Sequence, residues 1–175
     1  FLPSLPSIPS PSDALPGLMS RFSDELTALG GTFAAVTPEK LPQAILDILD
    51  EKKARRIIAW LPENLPAPGL FDWLRRAGVT IYGPMVSTSG AERESSLAER
   101  ATAEAGLTSC EAVIAETGSL LMRAGLGRGR LASLIAPVHI ALVTPKQFFP
   151  TFAAFVEHHR RNGTYEALCR DSSAL

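Results

Sequence analysis

Short apolar runs rich in β-branched residues alternate in this chain with stretches whose apolar residues recur at helical spacing, and that alternation restricts the fold more than any other feature. Arg56-Ile57-Ile58-Ala59-Trp60, Val79-Thr80-Ile81-Tyr82 and Val138-His139-Ile140-Ala141-Leu142-Val143 read as strands. Around them, Leu15, Leu18, Phe22, Leu26 and Leu29 share one helical face, and Leu41, Ile45, Ile48 and Leu49 share another. Phe71 to Ala77 makes a short helix before Gly78. Strands joined through helices by short loops run mainly parallel, because each parallel pair needs a crossover, and the crossover helices cover both faces of the sheet. The expected fold class is therefore α/β, a layered sheet flanked by helices.

Turn chemistry supplies the remaining boundaries. Gly30-Gly31 stops the first helix, and Thr32 to Val36 reads as a short strand. Ser87 to Gly106 begins as a polar loop and continues as an alanine-rich helix over Glu92 to Ala105. Val113-Ile114-Ala115 and Leu120-Leu121-Met122 flank Glu116-Thr117-Gly118-Ser119, the pattern of a hairpin with its turn glycine. A glycine-rich loop, Gly125 to Arg130, precedes a helical fragment over Leu131 to Ile135. The final helix runs from about Pro150 to Asn162, with Phe152, Phe155, Val156 and His159 facing inward. Five prolines fall among the first seventeen residues. Proline lacks an amide donor and biases its predecessor to extended geometry, so residues 1–14 read as an irregular Pro/Ser-rich arm and 15–175 as a single α/β domain.

Charge and cysteine usage exclude several function classes. Lys plus Arg total 17 against 18 Asp plus Glu. A surface devoted to nucleic acid or to anionic lipid needs a basic excess gathered on one face, so neither is expected as a partner. Cys110 and Cys169 form no CxxC and cannot build an iron-sulfur cluster or a thiolate zinc site. His158 and His159 are adjacent on a helix and point about 100° apart, which disqualifies them as a chelating pair. No metal and no cofactor is expected. With no leader pattern and no apolar run of about 18 residues, the expectation is a cytoplasmic protein without membrane insertion.

Three groups of residues carry chemical potential. Glu116 lies at the tip of the hairpin, where it either acts as general acid, base or nucleophile, or caps the turn together with Thr117 and Gly118. His139 interrupts an otherwise apolar strand and is either a satisfied core histidine or a proton carrier in a site. Gly127, Arg128, Gly129 and Arg130 combine glycine amides with guanidinium forks, suited to an anion unless the loop is merely exposed. The spacing matches neither the dinucleotide fingerprint nor the Walker loop. Ser133 follows without the flanking glycines of a nucleophile elbow and reads as a hydrogen-bonding or capping hydroxyl.

Ala115-Glu116-Thr117-Gly118-Ser119-Leu120, the Gly127 to Arg130 loop, Leu131-Ala132-Ser133-Leu134 and Pro137-Val138-His139-Ile140-Ala141-Leu142-Val143 occur in that order within some thirty residues. Their joint order and spacing resemble the LUD domain family of lactate-utilisation proteins, over roughly Leu18 to Val156. Members continue into a Gly-Pro-Ser segment followed by Ala-Asp-Ile-Glu, which the 175 residues do not include. The resemblance implies a Rossmann-like fold similar to the sugar-isomerase and CoA-transferase type. It further implies a non-redox accessory or ligand-sensing role in oxidation of L-lactate to pyruvate, beside separate iron-sulfur partner proteins. The ligand would be a small anionic metabolite, held by Glu116, Thr117, Gly118, Gly127, Arg128, Gly129, Arg130, Ser133 and His139. An alternative by analogy with the CoA-transferases is an acyl-transfer enzyme with Glu116 as nucleophile, and another is a structural subunit with an inert cleft.

Overall fold

This computed structural model describes residues 11–170, so most of the expected N-terminal arm lies outside the described residues. The first helix, α1 (Pro11–Ala28), begins four residues before the expected start and carries Pro16 within it. It is followed by α2 (Leu41–Glu51), β1 (Arg56–Ala59), α3 (Leu70–Arg76), β2 (Thr80–Tyr82), α4 (Gly90–Arg100) and β3 (Ala105–Thr108). A hairpin of β4 (Ala112–Ile114) and β5 (Ser119–Leu121) comes next, then α5 (Leu131–Leu134), β6 (Val138–Ala141), β7 (Phe148–Phe149), α6 (Phe152–Arg161) and α7 (Tyr165–Arg170).

The strands form two sheets. The larger is fully parallel with order β2-β1-β3-β6, as the strand-helix alternation requires. Its centre is apolar on both faces: Ile57, Ile58 and Leu107 are at most 1% exposed, and they pack with Leu49, Leu70 and Leu74 from α2 and α3. The smaller sheet has order β5-β4-β7, antiparallel within the hairpin and parallel between β4 and β7. Side-chain alternation divides its core in two. Val113 and Phe148 turn toward Phe22 of α1, while Ala112, Ile114 and Phe149 turn toward Phe155 of α6. Edge-to-face rings lock both sides, with centroids 5.8 Å apart for Phe22 and Phe148 and 5.2 Å for Phe149 and Phe155.

Three expectations are corrected. Thr32 to Val36 is not a strand, because among the described residues no neighbouring strand supplies the ladder bonds; Phe33 packs edge-on against Phe22 instead, 5.6 Å between centroids. The helix expected over Glu92 to Ala105 ends at Arg100, and Ala105–Thr108 is the strand inserted between β1 and β6. Alanine and glycine hid it, yet Gly106 is what its position needs: a Cβ there would lie 1.7 Å from the Ala132 carbonyl oxygen, so only glycine lets α5 rest on the sheet. In α6, Phe152 is 52% exposed, and the buried residues of that helix are Ala154 and Phe155.

Candidate functional site

The strand order places a crevice where chemistry of this fold class is usually found. The chain leaves β1 toward β2 on one side and returns to β3 on the other, so the loops after β1 and β3 diverge and open a gap at the carboxyl ends of the strands. A cavity of about 320 Å³ occupies that gap. Trp60 enters it directly after β1, Ser109 and Cys110 directly after β3, and Thr144 follows β6; Glu63, Asn64, Arg128 and Gln147 complete the polar wall.

Each wall residue is held by a specific contact. Trp60, 3% exposed, donates from Nε1 to the Gly129 carbonyl at 3.2 Å. Asn64 donates from Nδ2 to the Leu126 carbonyl at 3.3 Å, and the Leu61 amide donates to the Gly127 carbonyl at 2.9 Å. Gln147 is a clasp: its Oε1 accepts from the Thr144 amide at 2.6 Å, and its Nε2 donates to the Cys110 carbonyl and, at 3.3 Å, to Ser109 Oγ. The clasp ties the turn after β6 to the turn after β3. Cys110 is buried beside Glu111, and desolvation pushes its thiol up to about 12, so it is neutral and unreactive at physiological pH.

The glycine loop is not the open cradle that its composition suggested. Gly125 and Arg128 close a tight turn with their amides and carbonyls paired at 3.3 and 2.9 Å, and Gly127 sits in it at φ +71°. A Cβ on Gly127 would meet Asn64 Nδ2 at 2.7 Å, and one on Gly129 would meet the Pro84 carbonyl oxygen at 2.5 Å. These glycines pack the loop against the turns after β1 and β2. The packed loop carries Arg128 to the cavity wall. Its guanidinium lies over Gly125, with Nη1 3.9 Å from the Glu111 carboxylate and a buried Nε that meets no hydrogen-bond acceptor. Glu111 also pairs with Arg123 at 3.2 Å.

The other residues singled out from the sequence lie elsewhere. Glu116, Thr117 and Gly118 form the hairpin tip, separated from Glu111 by the whole of β4, about 10 Å of extended chain. Glu116 Oε1 accepts from the Phe152 amide at 3.3 Å and so caps the start of α6, where Thr151 Oγ1 accepts from the Ala154 amide at 3.0 Å. Thr117 donates to Ser119 Oγ at 3.0 Å, and Gly118 turns at φ +63° against the α1 backbone. Ser133 donates to the Arg130 carbonyl at 3.0 Å, and the Arg130 side chain is exposed. His139 is exposed on the edge strand β6, not enclosed on both sides; its Nε2 meets the fully buried Thr108 Oγ1 at 2.8 Å, and desolvation of that inner end lowers its pKa. Of the residues expected to bind a ligand, the structure brings Arg128 to the cavity wall, on a turn seated by Gly127 and Gly129.

The sequence does not single out Trp60, Asn64, Ser109, Thr144 and Gln147, because their placement depends on a sheet whose second central strand, Ala105–Thr108, carries no local strand pattern. A three-residue spacing from Thr144 to Gln147 was the one local signal, that of a capping box. Among the described residues, no group of His, Cys, Asp and Glu could hold a metal ion, and no helix is long and apolar enough to cross a membrane.

Comparison with known proteins gives consistent results. The chain is 33% identical over 157 residues to a lactate utilization protein C of Deinococcus radiodurans, covering 88% of this chain and 66% of that protein. It is 29% identical over 133 residues to a lactate utilization protein C of Halalkalibacterium halodurans, covering 76% and 55% respectively. The chain thus spans between about half and two thirds of the length of these relatives. A crystal structure of a DUF162 family protein from Deinococcus radiodurans superposes with a TM-score of 0.64 at 30% identity, over 89% of this chain and 85% of that one. The model of the LUD domain matches residues 19–168, and on that match, extending across both sheets and the crevice, the chain belongs to the LUD domain family.

Proposed function

We propose that this chain is the ligand-binding domain of a lactate-utilisation protein, a non-redox component that holds a small anionic ligand in the β1/β3 crevice while separate iron-sulfur proteins oxidise lactate. The relatives' names support the lactate-utilisation system. Two cysteines far apart in sequence, one buried and one exposed, do not supply the four thiolates of a cluster from these residues, which supports the non-redox reading. Arg128 carries the anion-binding reading: a guanidinium side chain that keeps 28% of its surface exposed, with its ion pair to Glu111 stretched to 3.9 Å, stands at the wall of a polar cavity, where a carboxylate or phosphate can pair with it.

The test is thermal stability of the chain with L-lactate, pyruvate and inorganic phosphate. Whichever anion binds should stabilise the fold by about 2.7 kcal/mol at a hundredfold excess over its dissociation constant. Arg128→Gln keeps a polar side chain and removes the cation, so the gain should vanish. An identical ligand response in parent and variant would rule out this site.

A further inference from the structure

Arg128 shares its carboxylate with a second arginine. Glu111 stands immediately before β4, and the hairpin register pairs Ala112 with Leu121, so Arg123, two residues beyond β5, arrives beside it. The Glu111 amide donates to the Leu121 carbonyl at 2.7 Å, which roots the carboxylate on the hairpin. One of its oxygens, Oε2, lies 3.2 Å from Arg123 Nε and 3.9 Å from Arg128 Nη1. All three side chains are between 22% and 28% exposed. Charges at that depth and within about 4 Å of one another are only partly screened, so the division of one carboxylate between two cations has consequences.

The division is unequal. Glu111 and Arg123 belong to the same hairpin, whereas Arg128 comes from the glycine loop, which Gly127 seats on Asn64 and Leu61. Of the three, it is Arg128 that lines the cavity. Two guanidiniums against one carboxylate leave one positive charge over, and the closer contact assigns the carboxylate to Arg123. The surplus charge therefore falls on the arginine at the cavity wall. Closing the gap to Arg128 to the length of a charge-assisted hydrogen bond takes a carboxylate shift of only about 1 Å. Glu111 is within reach of neutralising Arg128, and Arg123 is the group that holds it back.

We infer that Arg123 is a positioning residue of the anion site: it retains the Glu111 carboxylate on the hairpin and so leaves Arg128 cationic toward the cavity, without itself meeting the ligand. This rests on the anion-binding reading of the same cavity.

Titration calorimetry with L-lactate, pyruvate and inorganic phosphate, on the parent chain and its variants, tests it. Arg123→Met keeps an unbranched stem and removes the cation, so the anion that the parent binds should bind roughly three- to tenfold more weakly. Glu111→Gln removes the competing carboxylate, and its binding should equal or exceed that of the parent. The double variant, Arg123→Met with Glu111→Gln, should recover at least the parental affinity, a recovery that simple loss of packing at Arg123 would not show. Parental affinity in Arg123→Met, or a double variant as weak as Arg123→Met alone, would overturn the inference and leave the anion site standing. Weaker binding in Glu111→Gln than in the parent would overturn it equally, a result that counts even where Arg123→Met fails to fold. Binding by none of the three anions, or binding that survives Arg128→Gln, would overturn the inference and the anion site together.

Discussion

Gly106 and Gly125 show how the same residue type carries different weight according to what faces its missing side chain. At Gly106 the obstacle is backbone, the Ala132 carbonyl at 1.7 Å from a built Cβ, and α5 cannot yield without lifting off the sheet. At Gly125 it is the tip of the Arg128 side chain, at 3.1 Å. Gly106→Ala is expected to cost about 3 kcal/mol through overpacking, lowering Tm by roughly 6 to 12 °C in a domain of this size. Gly125→Ala should change Tm by no more than about 2 °C, because a flexible guanidinium moves aside at little cost. Thermal melts of the two variants side by side check this. Equal losses would mean that the contact between α5 and β3 is not the constraint described here.

The hairpin and α6 form a coupled pair of elements. Glu116 at the turn between β4 and β5 satisfies the first amide of α6, while Thr151 satisfies the third, so the carboxylate stabilises both the helix start and its seat on the smaller sheet. A nucleophilic role would need that carboxylate directed to a substrate, yet it lies at the opposite end of β4 from the crevice. Glu116→Gln retains an acceptor oxygen but loses the charge facing the helix N-terminus. It is expected to fold normally, with about 0.5 to 1 kcal/mol lower stability by urea unfolding. Mass spectrometry of the parent chain after acyl-CoA incubation and hydroxylamine trapping should show no adduct at Glu116. An adduct, together with abolished function in the glutamine variant, would transfer the chemistry from the crevice to the hairpin.

At the scale of the whole molecule, two histidines link stability to pH. Desolvation lowers the pKa of His139 at the sheet edge and of His159 on α6; at His159 the neighbouring His158 and Arg123 add to the effect and Glu111 opposes it. Both folded values lie below the unfolded one near 6.5. Between those values the unfolded chain binds more protons, so stability rises with pH. Their contribution is complete above about pH 6.5 and is lost as pH falls through the folded values. Chemical denaturation at intervals from pH 7 to pH 5 should therefore show stability declining, with a shallower slope for the double change His139→Gln and His159→Gln. An unchanged slope would mean that other groups carry the dependence. Below about pH 4.5 the carboxylates whose pKa is lowered by hydrogen bonds, among them Glu104 on the Arg55 and Arg56 amides, add a separate loss.

What the sequence determined by itself is the layer plan, the parallel character of the main sheet, the hairpin with its glycine turn, and the family. The first three rest on periodicity and turn chemistry that act within a few residues of one another, and the family rests on the resemblance carried by the order and spacing of the segments from Ala115 to Val143. Three things were decided only in the tertiary structure. Ala105–Thr108 became a central strand because β1 and β6 flank it and α5 needs a residue without a side chain beneath it, a demand no local pattern expresses. The glycine loop became a packed support for Arg128 because Asn64, Leu61 and Pro84 from distant turns close on its glycines. The expected site split apart for the same reason: Glu116 and Arg128 are twelve positions apart in sequence, but a strand direction places one at each end of β4. Strand order, which arises from long-range burial and not from nearest neighbours, sets where loops converge, and so it placed the crevice among Trp60, Ser109 and Thr144, residues whose local sequence carries no functional signal.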